Sequence, residues 1–241
     1  MRTSSEAGSK GRINQFQSLG AVDGPGLRYV VFMQGCPLRC VYCHNPETWD
    51  SAGGKIYTVD EVLDKILRCR AYLSSGGVTV SGGEPLLQTA FVTELFTRLR
   101  QEGLHTALDT SGIGPSACAE ALLSVTDLVL CDLKFATAAD YRTYTGGKLE
   151  QVLEFLALTE KLGIPLWIRH VAVPGLTADP AYIREIRRLA GSFSNLEKLE
   201  LLPFRKLCTA KYEALGIPFP LSDTPECSPA LLEQLSQESI K

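Results

Sequence analysis

Three cysteines stand close together near the start of the chain, as Cys36, Cys40 and Cys43 with the spacing C-x3-C-x2-C. Thiolates this close in sequence can converge on one soft metal centre, and thiolate is the usual protein ligand of iron–sulfur clusters. A four-iron cluster held by three thiolates keeps one iron open to a small molecule, much as a catalytic zinc site keeps one free position. The spacing therefore predicts a 4Fe–4S cluster with an open iron.

Two other interpretations of these cysteines stay open. A closed zinc site needs a fourth ligand, and His44 is badly placed for it because it directly follows Cys43. Unremarkable cysteines are the other alternative, whereas an odd triplet cannot pair off completely into disulfides. Apolar surroundings predict that Cys69, Cys118 and Cys131 are small buried hydrophobes.

The cysteine run resembles the signature of the radical S-adenosylmethionine (SAM) superfamily, C-x3-C-x-aromatic-C, and Tyr42 fills the aromatic position. The flanking segments Val22–Arg28 and Cys43–Pro46 are similar to those of the activases of glycyl radical enzymes, a family that includes the activases of pyruvate formate-lyase. The resemblance runs from about residue 12 to about residue 216. No second cysteine cluster follows, so an added ferredoxin-like insert is not expected.

Length and composition limit the class of protein. The chain has 241 residues, of which 45% are hydrophobic, and this suits one α/β domain or at most two small ones. Its formal net charge of −3 gives no support for nucleic-acid binding through bulk charge. No apolar stretch approaches the roughly 20 residues that span a bilayer, and the N-terminal segment lacks the apolar core of a secretory signal. We expect a cytoplasmic protein with no membrane partner, in which the eight cysteines stay reduced.

Apolar, β-rich runs alternate with helical patterns along the chain, which is typical of parallel βαβ units. A capping box formed by Thr58 and Glu61 indicates the start of one helix. The predicted buried strands are Arg28–Gln34, Gly77–Ser81, His105–Thr110, Asp127–Leu133, Leu166–Val173 and Lys198–Leu202. Further helices are predicted over Leu87–Gln101, Ser116–Ser124, Leu149–Leu162 and Ala181–Ala190.

The number of strand–helix units bears on the fold. Six units are fewer than the eight of a closed barrel, although spacing alone does not separate an open barrel from a doubly wound sheet. The resemblance implies an open (β/α)6 partial TIM barrel of the radical SAM type, and the count agrees with it. We expect a flexible N-terminal tail over residues 1–11, the radical SAM domain over residues 12–216, and a C-terminal extension over residues 217–241 packed on the same domain.

Unusual polar residues cluster just past the predicted strands. Because the carboxyl ends of parallel strands meet at one edge of a sheet, segments that follow them converge on one place. This convergence predicts an active site more strongly than any single motif does. The segments are Gly35-Cys36, Ser81–Pro85, Asp109–Gly112, Asp132–Lys134, Arg169–Val171 and Pro203–Arg205.

The segment Gly82-Gly83-Glu84 follows the second predicted strand. Two glycines permit backbone torsions and a close approach that a Cβ would forbid, so their amides and carbonyls can hold a polar amino-acid group. A plain turn is the alternative. The segment resembles the Gly-Gly-Glu motif of the superfamily, and this implies contact with the methionine amino group of SAM.

Asp132 and Lys134 alternate with Leu133 on a strand, so the two charged side chains share a face. A carboxylate and an ammonium in this arrangement suit a zwitterionic ligand. A surface ion pair of little energetic weight is the alternative, but the apolar run before Asp132 disfavours exposure. In the resembling activases this Asp-Leu-Lys segment contacts SAM.

The resemblance implies further cofactor-binding residues around the cluster and on the fifth strand. Tyr42 and His44 match positions that line the adenosyl site, and Cys43 lies between them. Arg169 and Val171 are the members of this set on the fifth strand.

The resemblance also implies a monovalent cation beside the SAM carboxylate. Its ligands would be Asp109, Thr110, a backbone oxygen of Leu130, and Asp132. A strand-ending turn is the alternative for the segment that begins at Asp109.

Two other positions bear on binding. In the resembling activases the loop before the first strand helps to hold the glycine-bearing peptide, which makes Asp23 a candidate partner-binding residue; a strand-entry turn is the alternative. Where the family pattern often has His after an aromatic, this chain has Arg205. Contact of Arg205 with the adenosyl group is therefore left open.

The resemblance implies an oxidoreductase that uses a 4Fe–4S cluster to cleave SAM reductively and then makes a glycyl radical on pyruvate formate-lyase. A low-potential carrier such as flavodoxin or ferredoxin would supply the electron. An activase of another glycyl radical enzyme or a radical SAM enzyme with a small-molecule substrate is the nearest alternative. A non-catalytic iron–sulfur or zinc-binding module is the alternative of another class.

Overall fold

The protein is described by a computed structural model over residues 8–115 and 118–237. The strands are β1 (Lys10–Gly20), β2 (Arg28–Met33), β3 (Lys55–Thr58), β4 (Gly77–Gly82), β5 (Thr106–Thr110), β6 (Leu128–Asp132), β7 (Leu166–Ala172) and β8 (Leu196–Pro203). The helices are α1 (Val59–Leu67), α2 (Thr89–Gln101), α3 (Ala119–Leu123), α4 (Ala138–Thr145), α5 (Leu149–Lys161), α6 (Pro180–Ala190), α7 (Thr209–Leu215) and α8 (Pro229–Gln237).

All eight strands form one sheet in the order β3-β1-β2-β4-β5-β6-β7-β8. The six strands β2, β4, β5, β6, β7 and β8 pair in parallel, whereas β1 pairs antiparallel with both β2 and β3. Strands β3 and β8 end the sheet without pairing to each other, so the sheet is not closed. The six predicted strands and the open six-unit architecture are confirmed.

Alternation along the central strands divides the apolar residues between two sides of the sheet. Ala107, Leu128 and Leu130 form a small inner cluster with Trp167, while their sequence neighbours join the larger core beneath the helices. Because side chains of a strand alternate between its faces, Asp109 at the end of β5 shares the inner face with Ala107. The inner face thus changes from apolar to charged toward the carboxyl ends of the strands.

Local signals in the sequence explain where the first long helix starts. The Glu61 carboxylate accepts a hydrogen bond from the Thr58 backbone N–H at 2.7 Å, and the Thr58 hydroxyl accepts one from the Glu61 N–H at 3.2 Å. The predicted capping box is confirmed. Helix α3 begins at Ala119, and the first two residues of the helix predicted from Ser116 lie outside the described residues.

Strands β1 and β3 were not predicted. β1 carries many polar and half-exposed residues and so lacks an apolar run, and β3 has only four residues. Because β1 begins at Lys10, the predicted division at residue 12 falls inside this strand; the part of the predicted tail over residues 1–7 lies outside the described residues.

The scattered cysteines follow the prediction only in part. Cys131 on β6 is fully buried, as expected, and Cys69 is partly buried. Cys118 is exposed, so its predicted burial is wrong. It precedes the short helix α3, whose buried face is formed by the later residues Leu122 and Leu123.

The C-terminal segment lies against the rest of the chain. Its residues Phe219, Cys227 and Leu235 are buried, and the Cys227 backbone N–H donates to the carbonyl of Phe204 at 3.0 Å. No helix among the described residues has the length and apolar character needed to cross a bilayer.

We expect His170 to make the stability of the fold depend on pH. The side chain is buried, and burial lowers its pKa from the ordinary 6.5 to about 4. Between these values the unfolded chain binds the proton and the folded chain does not, so this contribution to stability is lost as pH falls from about 6.5 toward 4. The slope approaches about 1.4 kcal/mol per pH unit.

The comparison is between the wild type and His170→Asn, which removes the titration and keeps a donor for the carbonyl of Leu133, the partner of His170 Nδ1 at 2.8 Å. Urea unfolding measured at several pH values should give a shallower slope for the variant. Equal slopes would show that His170 does not carry the effect.

Candidate active site

A cavity of about 540 Å³ lies at the carboxyl ends of the parallel strands. Most of the residues predicted for the site line it. They are Cys36, Cys40, Tyr42, Cys43, His44, Gly82, Gly83, Asp109, Thr110, Asp132, Lys134, Arg169 and Val171. Four predicted residues are not on its wall, namely Asp23, Glu84, Leu130 and Leu133.

The cysteine loop follows β2 and is held by backbone hydrogen bonds to the C-terminal end of α4. The N–H of Arg39 donates to the carbonyl of Thr145 at 2.8 Å, and that of Val41 donates to the carbonyl of Tyr144 at 3.0 Å. The Arg39 guanidinium donates to the carbonyl of Cys36 at 2.9 Å. These bonds fix the loop so that its three thiols face one cavity.

The thiols sit in a poorly solvated environment. Burial raises the pKa of Cys36 to about 11 and that of Cys40 to about 12, and it raises the pKa of Cys43 as well. The described cysteines are all free thiols. Because metal ligation requires the thiolate, binding of a metal centre would displace these protons.

The surroundings of the thiols fit a sulfur-rich cluster. The Asn45 backbone N–H donates to Cys43 Sγ at 3.4 Å. The Tyr212 hydroxyl is buried without a hydrogen-bond partner among the described residues and lies within electrostatic reach of Cys43 and Cys40. Donors near cluster sulfurs are a usual feature of iron–sulfur sites. The described residues contain no group of three His, Cys, Asp or Glu that could hold a single metal ion, whereas cluster thiolates bind different irons.

The turn after β4 packs directly on the cysteine loop. The N–H of Gly83 donates to the carbonyl of Met33 at 2.9 Å, and that of Glu84 donates to the carbonyl of Gly35 at 2.8 Å. A Cβ on Gly83 would lie 2.1 Å from the Gly35 carbonyl oxygen, so only glycine permits this approach. The turn therefore brings the backbone of Gly82 and Gly83 against the cavity.

The Glu84 side chain points away from the cavity and is completely buried. Its carboxylate accepts hydrogen bonds from the Thr110 hydroxyl at 2.6 Å, from the Ser111 backbone N–H at 2.8 Å and from the Leu86 N–H at 3.0 Å. Burial raises the pKa of Glu84, and these hydrogen bonds oppose the rise. The carboxylate thus ties the turn after β4 to the end of β5.

A buried guanidinium joins the ends of three neighbouring strands. Arg169 on β7 forms a short ion pair with Asp109 on β5, and its Nε lies 3.2 Å from Asp132 Oδ1 on β6. Lys134 Nζ lies 3.0 Å from the other oxygen of Asp132. The Ser81 hydroxyl donates to Asp109 Oδ2 at 2.6 Å. Two acids and two bases therefore form one hydrogen-bonded wall.

The charges of this wall shift one another's pKa. Burial alone would raise the pKa of Asp132, but Lys134 and Arg169 outweigh it and hold that pKa below its usual value. Burial would lower the pKa of Arg169, and the two carboxylates raise it instead. Burial raises the pKa of Asp109, and its ion pair with Arg169 and the hydrogen bond from Ser81 oppose that rise. Asp132, Lys134 and Arg169 are favoured in their charged forms.

Residues beside the cluster loop complete the wall. Tyr42 is buried, and its hydroxyl donates to the carbonyl of Lys134 at 3.3 Å. His44 Nε2 lies 2.8 Å from the carbonyl oxygen of Arg205. The Arg205 guanidinium pairs with Glu226 at 3.2 Å, so the C-terminal segment holds this side chain at the cavity.

Leu133 and Leu130 have internal positions. The N–H of Leu133 donates to the carbonyl of Arg169 at 3.0 Å, and its side chain is fully buried in the core. The Leu130 side chain belongs to the inner apolar cluster. Thr110 lines the cavity, but its hydroxyl already donates to Glu84.

Several cavity residues were not named as site residues, among them Thr48 and Leu202, and also Ser81 and Val22, which stand in segments singled out from the sequence. Ser81 directly precedes Gly82 and shares the inner face of β4 with Thr79, so strand alternation applied from Thr79 would have found it. Val22 comes from the loop before β2 and is largely exposed. Nothing in the local sequence indicates that it reaches the cavity.

The chain matches known proteins in family and in fold. Residues 22–154 match the family model of a 4Fe–4S single cluster domain. The chain is 46% identical over 215 residues to the pyruvate formate-lyase-activating enzyme of Clostridium pasteurianum, which covers 88% of this chain and 90% of the relative.

Solved structures of other proteins resemble this chain as well. A domain of a pyruvate-formate lyase-activating enzyme from Bacteroides vulgatus ATCC 8482 gives a TM-score of 0.56 at 25% identity over 67% of this chain and 91% of that one. A radical SAM methyltransferase from Sphaerobacter thermophilus gives 0.59 at 15% identity over 87% and 62%, which shows likeness of fold.

The open parallel sheet and the three-thiol loop at its carboxyl edge define a radical SAM enzyme. The 46% identity to the Clostridium pasteurianum relative over nearly the whole length identifies one family within this class. The chain belongs to the pyruvate formate-lyase-activating enzyme family.

We expect the three loop cysteines alone to determine cluster assembly. Anaerobically reconstituted wild type should bind about four irons per chain, and Cys36→Ala, Cys40→Ala or Cys43→Ala should each abolish iron and sulfide binding. Cys118→Ala is the control because Cys118 is exposed. A fourth cysteine whose loss also abolishes binding would contradict a cluster with an open iron.

We expect removal of Arg169 to cost far more stability than removal of Arg205. Arg169→Met leaves the buried Asp109 carboxylate without its cation, which typically costs about 3–5 kcal/mol. Arg205→Met breaks an ion pair whose side chains are 38% and 41% exposed, and such pairs contribute below about 1 kcal/mol. Urea unfolding of cluster-free protein measures both; equal losses would show that Arg169 is not a structural tie.

Proposed function

We propose that this protein activates pyruvate formate-lyase by removing a hydrogen atom from the Cα of one of its glycines. The observation that carries the proposal is similarity along nearly the whole chain to a relative of that name, with the three-thiol loop and the charged cavity both in place. When bound, the cluster supplies the electron that splits SAM into methionine and a 5′-deoxyadenosyl radical.

The proposed task of the cavity wall is to hold the two charges of the methionine part of SAM. Lys134 and Arg169 face it as cations and suit the carboxylate, while Asp132 suits the amino group. The backbone of Gly82 and Gly83 offers further polar groups. Glu84 contributes indirectly, since its carboxylate is already engaged with Thr110 and Ser111 on the end of β5.

The proposed adenosyl side of the cavity is formed by Tyr42, Cys43, His44 and Val171. Arg205 reaches the same cavity from the loop after β8, where Glu226 holds its guanidinium. These side chains would exclude water from the reacting carbon and orient it.

The monovalent cation remains a proposal. Asp109, Thr110 and Asp132 line the cavity, and a backbone oxygen of Leu130 is the fourth proposed ligand. The Arg169 guanidinium already bridges the two carboxylates, so a cation would compete with it.

The partner glycine is proposed to meet Asp23. No hydrogen bond or ion pair holds the Asp23 carboxylate within the part of the chain that the structure describes, so it is free to accept from a peptide backbone. Burial raises the pKa of Asp23, and the Asp109 carboxylate adds to this rise, which places Asp23 within electrostatic reach of the charged wall. A flavodoxin or ferredoxin as electron donor and a cytoplasmic location remain predictions.

The test is an anaerobic mixture of reconstituted protein, SAM, a reductant and purified pyruvate formate-lyase. Electron paramagnetic resonance should detect a glycyl radical on the partner, and chromatography should detect 5′-deoxyadenosine. Radical formation on a different glycyl radical enzyme, with none on pyruvate formate-lyase, would overturn the choice of partner.

We expect Asp23→Ala to lower glycyl radical formation at least about tenfold relative to 5′-deoxyadenosine formation without the partner, because a charge-assisted hydrogen bond to the peptide is lost. Asp64→Ala is the control, since Asp64 is an exposed aspartate on α1 and does not line the cavity. A proportional loss of both activities in Asp23→Ala, or no loss, would remove Asp23 from the partner site.

A further inference from the structure

Arg28 is a fully buried arginine at the start of β2 that the proposed chemistry does not use. It forms no ion pair with any carboxylate in the described part of the chain. Its guanidinium donates to neutral acceptors instead, among them the carbonyl of Val78 at 2.6 Å and the hydroxyl of Thr79 at 3.0 Å. Burying a charge is costly, and the carboxylates of Asp127 and Asp23 offset part of that cost from a distance without bonding to the guanidinium.

The contact between Arg28 and Thr79 fixes the direction of a second hydrogen bond. A guanidinium has only donors, so the Thr79 oxygen must accept from Arg28 Nε. Burial lowers the pKa of Arg28 to about 10, which still leaves it charged at neutral pH. The single hydroxyl hydrogen of Thr79 therefore remains available, and it is donated to the backbone carbonyl of Asp23 at 2.7 Å.

Close contacts restrict the loop of residues 21–27 on both sides of the hydrogen bond from Thr79 to Asp23. Gly26 has φ of +68°, and a Cβ there would lie 1.9 Å from the Ser75 carbonyl oxygen. The Arg28 guanidinium also lies 3.5 Å from the carbonyl of Pro25. The loop is thus held on one side by close backbone packing and on the other by Arg28 and Thr79.

Thr79 also has a fixed relation to the cavity. It shares the inner face of β4 with Ser81, which lines the cavity and donates to Asp109. Two residues along a strand span about 6.6 Å. Thr79 therefore anchors the carbonyl of Asp23 at about this distance along β4 from Ser81, which is part of the cavity wall. The neighbouring residue Val22 reaches the cavity itself.

We propose that Thr79, oriented by Arg28, is a positioning residue for recognition of the partner protein. Its hydroxyl fixes the main chain at Asp23, and this presents the Asp23 carboxylate to the glycine-bearing segment. The inference rests on the proposed function, in which that carboxylate binds the partner. Thr79 itself does not line the cavity.

The experiment compares Thr79→Val with Thr79→Ser in the cluster-loaded protein. Valine keeps the shape and removes the hydroxyl, whereas serine keeps the hydroxyl. Glycyl radical formation on pyruvate formate-lyase is measured against partner concentration, and 5′-deoxyadenosine is measured in the absence of partner. For Thr79→Val we expect KM for the partner to rise about fivefold to tenfold, the effect of one lost hydrogen bond, with a smaller change in kcat, and Thr79→Ser should stay near wild type.

Thr106→Val is the matched control. Thr106 is an equally buried threonine on the neighbouring strand, but its hydroxyl lies 3.0 Å from both the carbonyl oxygen of Val125 and Asp127 Oδ2, and it does not bond to the loop of residues 21–27. Its KM for the partner should not change. Iron content and melting temperature of each variant identify losses that come from folding alone.

The outcomes separate the two proposals. A wild type that cleaves SAM and makes no radical on pyruvate formate-lyase would refute the proposed function. A wild type that makes the radical while Thr79→Val keeps its KM, or while Thr79→Ser loses as much as Thr79→Val, would refute the role of the Thr79 hydroxyl. If Thr79→Val is too unstable to load iron, Thr79→Ala gives the same comparison.

Discussion

The guanidinium of Arg169 holds together the edge of the sheet at which the cavity lies. Arg169 reaches from β7 to carboxylates on β5 and β6, so the ends of three adjacent strands are tied by charge as well as by the backbone ladder. Hydrogen bonds between strands set their spacing, but they do not determine where the side chains beyond the ladder point. The ion pairs do so for Asp109 and Asp132, and through Asp132 for Lys134. Tyr42 of the cysteine loop then closes on the carbonyl of Lys134.

The same arrangement resolves an electrostatic problem. A cavity that binds a zwitterion needs both signs of charge, and each buried charge is costly unless it is paired. In this wall every carboxylate has a cation and every cation has a carboxylate before any ligand arrives. A ligand with one ammonium and one carboxylate can exchange partners with the wall without leaving a charge unpaired. The opposite case is Arg28, which is buried among neutral acceptors and holds a loop.

The sequence indicated the parts of the structure that depend on local pattern. Five of the six parallel strands are mostly buried and largely apolar because both of their faces are covered, whereas β8 at the edge of the sheet is partly exposed. The capping box at Thr58 is a purely local signal. Strand β1 was not predicted because one part of it faces solvent and its pairing with β3 depends on residues about 45 positions away. The three cysteines were found from spacing and the charged wall from its position after the strands. Strand alternation places Ser81 on the inner face, whereas no local pattern shows that Val22 reaches the cavity, because that depends on how separate elements meet in space.

The carboxylate of Glu84 is fully committed inside the protein, where four donors from Leu86, Thr110 and Ser111 surround it on the far side of the cavity wall. The motif Gly82-Gly83-Glu84 therefore has two structural roles. The glycines bring the backbone of the turn against both the cysteine loop and the cavity, and the Glu84 carboxylate behind them holds the turn in place. Because the Glu84 carboxylate takes no direct part in the chemistry, its loss would act by making the positions of Gly82, Gly83 and the groups beside them less well defined. Such a defect would change the distances between the reacting groups and leave the groups themselves unchanged.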